Sequence, residues 1–438
     1  MNDERRYNNA QNMTETPTRR AWRPWLLIFC AICLSSCGSG GDGSPAAPVT
    51  PMAGTLGPET TLLTSNQMLA LGFTFGPVDG TLGAIDSSGT YTLYGSGYKT
   101  AGGIQGAYAF NGDLATITGT NLIPLLTDGG DPNGYDFDVD YTGGGPVIPL
   151  YNGTTKVGYL MSYHGEFGCK ASNGCSNANS SSGSPNFYSA LGLAFSVDGA
   201  TFRKMGQVVQ PHPSRAAVFA GNSNLEIGGG AMMVADGNGN FIPGFANLPD
   251  KSAAYLYIFF SDIDPANVQS PCNNSVHCVG VARAPYNAVV AAASGGQTSQ
   301  FPLLFSKFYQ GAFGEPATSS GNDGTVVAGH YTAVVADSAP LYPSVIYVTK
   351  TNGFLMTYST GNSQINFRTG ASMLSWSANI ASMQITQAGQ TLLEPSLLGE
   401  SGDPLVSDGQ PFVYYVKAGN WAAQHWRSAS YVSREISF

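Results

Sequence analysis

The chain has 438 residues, a formal charge of −9, 56 Gly, 26 Pro, 22 Tyr and 22 Phe, and only 11% of it is charged. Glycine near 13% with so few charges is poor material for helices or coiled coils, and suits many short strands joined by tight turns. An acidic surface field repels polyanions, so no nucleic-acid partner is expected.

In chain order, Arg19, Arg20 and Arg23 precede an apolar run from Trp25 to Leu34. That run is too short to span about 30 Å of hydrocarbon and fits the apolar region of a signal peptide. It ends in Leu34-Ser35-Ser36-Cys37-Gly38, which resembles the lipobox of bacterial lipoproteins, with Cys37 as the lipid-bearing residue. The resemblance implies export and, with Gly38 after the cysteine, an outer-membrane lipoprotein facing the periplasm or the cell surface. Residues 1–37 are therefore expected to be a signal peptide and 38–58, rich in Gly, Pro and Ser, a flexible tether. The rest, 59–438, reads as one β-domain.

 

That domain, 59–438, is expected to carry its own core of short strands.

Four cysteines follow the signal, Cys169, Cys175, Cys272 and Cys278, in two pairs each spaced six apart. Three connectivities are open, and the local pairs Cys169–Cys175 and Cys272–Cys278 are the simplest. Each pair lies in an Asn/Ser-rich stretch where a disulfide can pin a loop in an oxidising compartment. Zinc is the alternative, but neither pair has a finger-like spacing.

From residue 70 onward a pattern recurs: small residues, a short apolar strand, a turn, then a strand dense in Tyr and Phe. It begins near 82, 143, 228, 343 and 403, with Asp403-Pro-Leu-Val406 and Phe412–Val416 as the fifth copy. Third and fourth strands follow in several copies, as in Ala190–Gly199 leading to Val208 and Gln364–Arg368 leading to Trp376. Glycine suits the crowded innermost strand of a propeller blade. Five repeats predict an all-β fold, a five-bladed β-propeller of four-stranded antiparallel blades. A sandwich or a β-helix is the alternative.

Gly-Gly-Pro-Val-Ile148, Tyr-Leu-Met-Ser-Tyr-His-Gly-Glu166 and Gly-Leu-Ala-Phe-Ser-Val-Asp-Gly-Ala-Thr-Phe202 together resemble the five-bladed glycoside hydrolases, the arabinanase, xylosidase, invertase and levansucrase group. Val281–Pro285 with Phe308–Phe313 is similar to blade-three and blade-four stretches of that group. The likeness covers roughly 75–435 and implies a glycan substrate or ligand, a monomer, and membrane contact through the lipid only. It also implies three carboxylates at the axial ends of the first three inner strands. Carried over by position, Asp79 is base or nucleophile, Asp140 tunes the acid, and Glu226 is the general acid. Asp136 and Asp138 compete for the second position, and turn capping is the alternative for all of these acids. Asp79 stands in Val-Asp-Gly, where the arabinanase-like members carry Asp-Pro.

His164 and Glu166 end a Tyr-rich strand and are candidates for substrate binding. Arg283 is a candidate for a substrate carboxylate or for pairing with Asp262. No cofactor is required. A structural Ca2+ in the propeller channel is compatible with the resemblance, with His330 as the residue nearest in kind. Trp376, Trp421 and Trp426 can stack on sugars. The chain has no Gly-x-Ser-x-Gly elbow, P-loop or His-Glu-x-x-His motif. The alternative function is a catalytically inactive carbohydrate-binding or scaffold propeller.

Overall fold

The structure, a computed structural model, describes residues 53–75, 82–87, 90–99, 104–170, 186–263, 276–319, 326–337, 339–361, 364–419 and 429–438. Strands dominate, in five sheets. The innermost strands are Gly83–Ser87, Tyr141–Asn152, Gly228–Asp236, Pro340–Val348 and Gln390–Leu398, and they neighbour one another in cyclic order, the fifth returning to the first. This is a five-bladed β-propeller, as the repeats predict.

Blade I pairs Gly83–Ser87 and Phe73–Phe75 with Thr90–Lys99, then adds Ile104–Gly112 and Ile117–Thr127. Blade II is a four-stranded meander through Thr155–Gly168, Phe187–Ser196 and Arg203–Val209. Blade III continues through Ala254–Asp262 and Cys278–Pro285 to the outer strands Ser306–Tyr309 and Ala312–Pro316. The segments expected to belong to blades three and four thus both lie in blade III. Blade IV runs through Gly353–Thr360 and Gln364–Ser372 to short outer strands.

Blade V corrects the sequence reading twice. Its inner strand is Gln390–Leu398, whereas Val406–Ser407 lies parallel to the end of the blade IV inner strand, Tyr347 opposite Val406. Its outer strands come from the other end of the chain: Thr55 pairs with Ser437, Leu56 with Ile436, and Thr60–Leu63 follows along Ala429–Ser437. Thr55–Leu56 therefore falls inside the segment expected to be a tether. Local sequence could not show this pairing, because it joins residues almost a full chain apart.

Blade faces pack on blade faces, which explains the aromatic content. Phe241 stacks on Tyr347 at 3.7 Å between blades III and IV, and Tyr94, Tyr108, Tyr163 and Tyr257 are almost wholly buried. Near the axis the backbones approach closely: a Cβ on Gly83 would lie 2.4 Å from the Val147 amide nitrogen of the next blade. Two serines stitch neighbouring inner strands, Ser344 Oγ accepting from Leu397 N at 2.9 Å and Ser396 Oγ from Leu82 N at 2.6 Å. Leu82, Ala84, Pro146, Met232, Val345 and Leu398 are among the residues that fill the axis, leaving a space of about 10 Å³. That holds roughly one water, so this part of the axis admits no sugar.

Candidate functional site

All five inner strands start on one face, and that mouth is where side chains from different blades meet. The approach to blade III is pinned by blade II. Leu225 N donates to Phe187 O at 3.1 Å, Ser189 N donates to Leu225 O at 3.0 Å, and Ile227 N donates to Ser189 Oγ at 2.7 Å. His164 Nδ1 adds a hydrogen bond to Ile227 O at 3.0 Å. These bonds hold the backbone on either side of Glu226, a half-buried acid immediately before the strand Gly228–Asp236.

Blade IV completes the setting. Tyr342, two residues into its strand, donates its hydroxyl to Glu226 Oε1 in a very short hydrogen bond. The Tyr342 ring reaches it by crossing Gly228, where a Cβ would meet the ring at 2.9 Å. Glycine is required at 228 for this contact. From blade III, His277 Nε2 lies 3.2 Å from Glu226 O. Burial pushes the His277 imidazole down to about 4, partly countered by that carbonyl, so it stays neutral near neutral pH and donates. Glu226 is thus held by three blades.

His164 and Glu166 stand two residues apart on one strand face, with His164 Nε2 3.5 Å from Glu166 Oε1. His164 is buried and meets Tyr141 edge-on at 6.0 Å. The structure therefore brings His164, Glu166 and Glu226 to one region, with Tyr141, His277 and Tyr342 added to those expected from sequence. Tyr342 had a signal that could have found it: Leu341-Tyr-Pro-Ser344 is repeated as Leu393-Glu-Pro-Ser396. Placing the fifth repeat near 403 hid the match.

The acids of blade II precede their inner strand on the same face, Asp140 N donating to Glu166 O at 3.0 Å, and their carboxylates have other partners. Asp140 Oδ2 accepts from Gly168 N at 2.7 Å and Oδ1 from Lys170 Nζ at 2.5 Å, contacts that cap the top of blade II. Asp138 is fully buried against blade I, its Oδ2 2.5 Å from Lys204 Nζ. Asp136 is exposed in the same loop with left-handed backbone, φ 52°.

Arg283 sits at the other end of blade III. Tyr257 opposes Arg283 in the register, while Asp262 opposes Cys278, five positions or about 16 Å away. Its guanidinium donates to Gly237 O at 2.5 Å and Tyr257 Oη at 2.9 Å, between the Tyr255 and Phe313 rings. The expected Asp262 pair is not formed, and the mouth is out of reach. His330 stacks on His212 at 3.6 Å, packed by Tyr309, and not among the axial residues. Trp376 packs edge-on against Phe259 in the seam between blades III and IV. Among the described residues no group of three or more His, Cys, Asp or Glu could hold a metal ion.

Asp79, Cys37, Cys175, Cys272, Trp421 and Trp426 lie outside the described residues. Cys169 and Cys278 are fully buried.

No protein-family model and no curated protein matches this chain. Solved structures do. An α-L-arabinofuranosidase from Podospora anserina, in complex with cellotriose, is 9% identical over 87% of this chain and 98% of its own, with a TM-score of 0.46. The catalytic domain of a Coprinopsis cinerea α-L-arabinofuranosidase is 11% identical over 84% and 98%, with a TM-score of 0.42. A family 117 glycoside hydrolase from Zobellia galactanivorans is 9% identical over 88% and 90%, again at 0.42. What this chain's own strand pairing establishes is the architecture, a five-bladed β-propeller.

Proposed function

We propose that this propeller is a glycoside hydrolase whose chemistry takes place at the mouth, with Glu226 as general acid. The observation that carries the reading is the fixing of Glu226 by three blades, with the Tyr342 hydroxyl on its carboxyl group. Cleaving a glycosidic bond needs an acid at a defined position beside the leaving oxygen and a second carboxylate across the sugar. Asp79 is the proposed second group. His164 and Glu166 are the proposed sugar-binding pair beside it, and no cofactor is needed for this chemistry.

The test is hydrolysis of arabinan, xylan and fructan by the parent domain and by Glu226→Gln. Loss of general acid catalysis costs roughly 10²–10⁴ in rate, with little change in unfolding midpoint. Full activity in the variant would overturn the role of Glu226.

A second reading, a carbohydrate-binding propeller without catalysis, is favoured by one observation. The Asp140 carboxylate is engaged by Gly168 N and Lys170, so the tuning position of the hydrolase group is committed to the fold. Glycan binding by the parent without hydrolysis of any polymer would establish it.

The proposal includes export as a lipoprotein on Cys37, with pairs Cys169–Cys175 and Cys272–Cys278 closed in the exported form. Thr55 pairs with Ser437 at the face opposite the mouth. A lipid tether there leaves the mouth unobstructed. Loss of lipid labelling in Cys37→Ala and peptide mapping of the exported form test these two statements.

A further inference from the structure

Seven non-glycine residues among those described have left-handed backbone, and two of them, Tyr342 (φ 52°) and Glu394 (φ 53°), lie within inner strands. Both precede a proline, a position where steric clash already restricts the backbone to extended conformations. Tyrosine and glutamate also lack the local hydrogen bonds that let Asn and Asp tolerate the left-handed region. Each such residue stores strain that the surrounding structure must hold.

The two positions are equivalent. Each occupies a bulge at the start of its inner strand, between Leu341 and Ser344 in blade IV and between Leu393 and Ser396 in blade V. Each is followed by Pro-Ser, and each serine accepts from the backbone of the next blade. In blade IV the purpose of the bulge is visible: it sends the Tyr342 side chain over Gly228 to Glu226. The same bulge in blade V sets Glu394 at the equivalent position of its inner strand, one blade further round. Glu394 is 6% exposed, as is Tyr342. Its backbone is one that glycine would hold without strain.

We propose that Glu394 is a ligand-contacting carboxylate of the axial mouth, kept in strained backbone to hydrogen-bond hydroxyls of the sugar that Glu226 addresses. The proposal rests on the glycan reading of that mouth for the identity of its ligand, and on the bulge geometry for the rest. Sequence reasoning passed over Glu394 because the fifth repeat was placed beyond it.

Two measurements on the full chain test it. Thermal unfolding compares the parent with Glu394→Gly, Glu394→Asn and Glu394→Gln. Relief of strain should leave the Gly variant level with the parent or above it by about 1–2 °C. A fall of several degrees in all three variants would overturn the proposal, since the carboxylate would then serve the fold. Calorimetric titration with arabinotriose, xylotriose and kestose compares the parent, Glu394→Gln and Glu226→Gln. A probe that binds the parent should lose at least about tenfold in affinity in Glu394→Gln, the loss expected of a hydrogen bond to a charged group. Unchanged affinity there would also overturn it. If no probe binds the parent while Glu394→Gly is stabilised, the glycan reading fails and the strained acid stands, serving a ligand of another class.

Discussion

Asp138 and Glu226 are both acids that precede an inner strand, and the structure uses them differently. Asp138 lies in the seam between blades I and II, where Lys204 Nζ reaches its carboxylate together with the carbonyls of Thr127 and Gly129, each at 2.7 Å, and Thr142 Oγ1 at 3.1 Å. Glu226 lies at the mouth, where its carboxyl receives a phenol hydroxyl. A cation coordinated by four oxygens locks two blades together and leaves the acid no chemistry to perform. A phenol hydrogen bond positions the Glu226 carboxyl without placing a full charge beside it, which suits the role proposed for it. Position before a strand is common to both, and the partner of the carboxylate is what differs.

The sharpest way to break this contrast is to remove the seam cation. Lys204→Met should cost about 3–5 kcal/mol, the loss seen when a buried pair keeps only one charge. The double variant Lys204→Met with Asp138→Asn should recover much of it in denaturant unfolding. Equal losses in the single and double variants would show that the pair is not the cause.

The mouth should instead answer to acid. His277 is held neutral in the fold, its value near 4 against an ordinary 6.5. Below pH 6.5 the unfolded chain takes up a proton that the fold refuses, so stability falls as pH drops from about 6.5 to 4. Integrated over that window the loss is at most about 3 kcal/mol, less whatever partial exposure screens. His277→Gln should flatten the melting temperature across it.

Asp131, beside the seam, shows the opposite slope. Burial pushes its carboxyl up to about 6 despite hydrogen bonds from the Tyr135 and Asn133 amides. The fold then holds a proton that the unfolded chain releases, so stability declines as pH rises from about 4 to 6, by up to about 3 kcal/mol. Asp131→Asn should abolish that decline. A profile identical to the parent's would place the titration elsewhere.

The smallest effect concerns Tyr342. Tyr342→Phe removes one hydroxyl from Glu226 and should change stability by about 1 kcal/mol. It should also displace the basic limb of the pH–rate profile if Glu226 is the general acid, since activity is lost as that acid gives up its proton. An unchanged profile would uncouple the phenol from the chemistry.

Much of the fold was legible because it repeats. Gly143-Gly-Gly-Pro and Gly228-Gly-Gly-Ala mark inner strands whose crowding excludes side chains, and the Tyr-rich runs after them are second strands buried on both faces. Glu226 was legible for the same local reason, standing two residues before Gly228. Arg283 shows the limit. Its charge made it a candidate for a carboxylate partner, but which end of blade III it occupies depends on the register with Ala254–Asp262. The fifth repeat was misplaced because Asp403-Pro-Leu-Val406 looks like a strand start, while Gln390–Leu398 carries no glycine run.

Alone, then, the sequence determined the all-β class, the repeated blade and an acid placed just ahead of the third inner strand, since each is written in neighbouring residues. Only the tertiary structure decided that Thr55–Leu63 closes blade V, that Lys204 neutralises Asp138 from 66 positions away, and that Tyr342 lies on Glu226 from 116 away. Those contacts form when the ring closes, and ring closure brings together strands whose separation along the chain leaves no local trace.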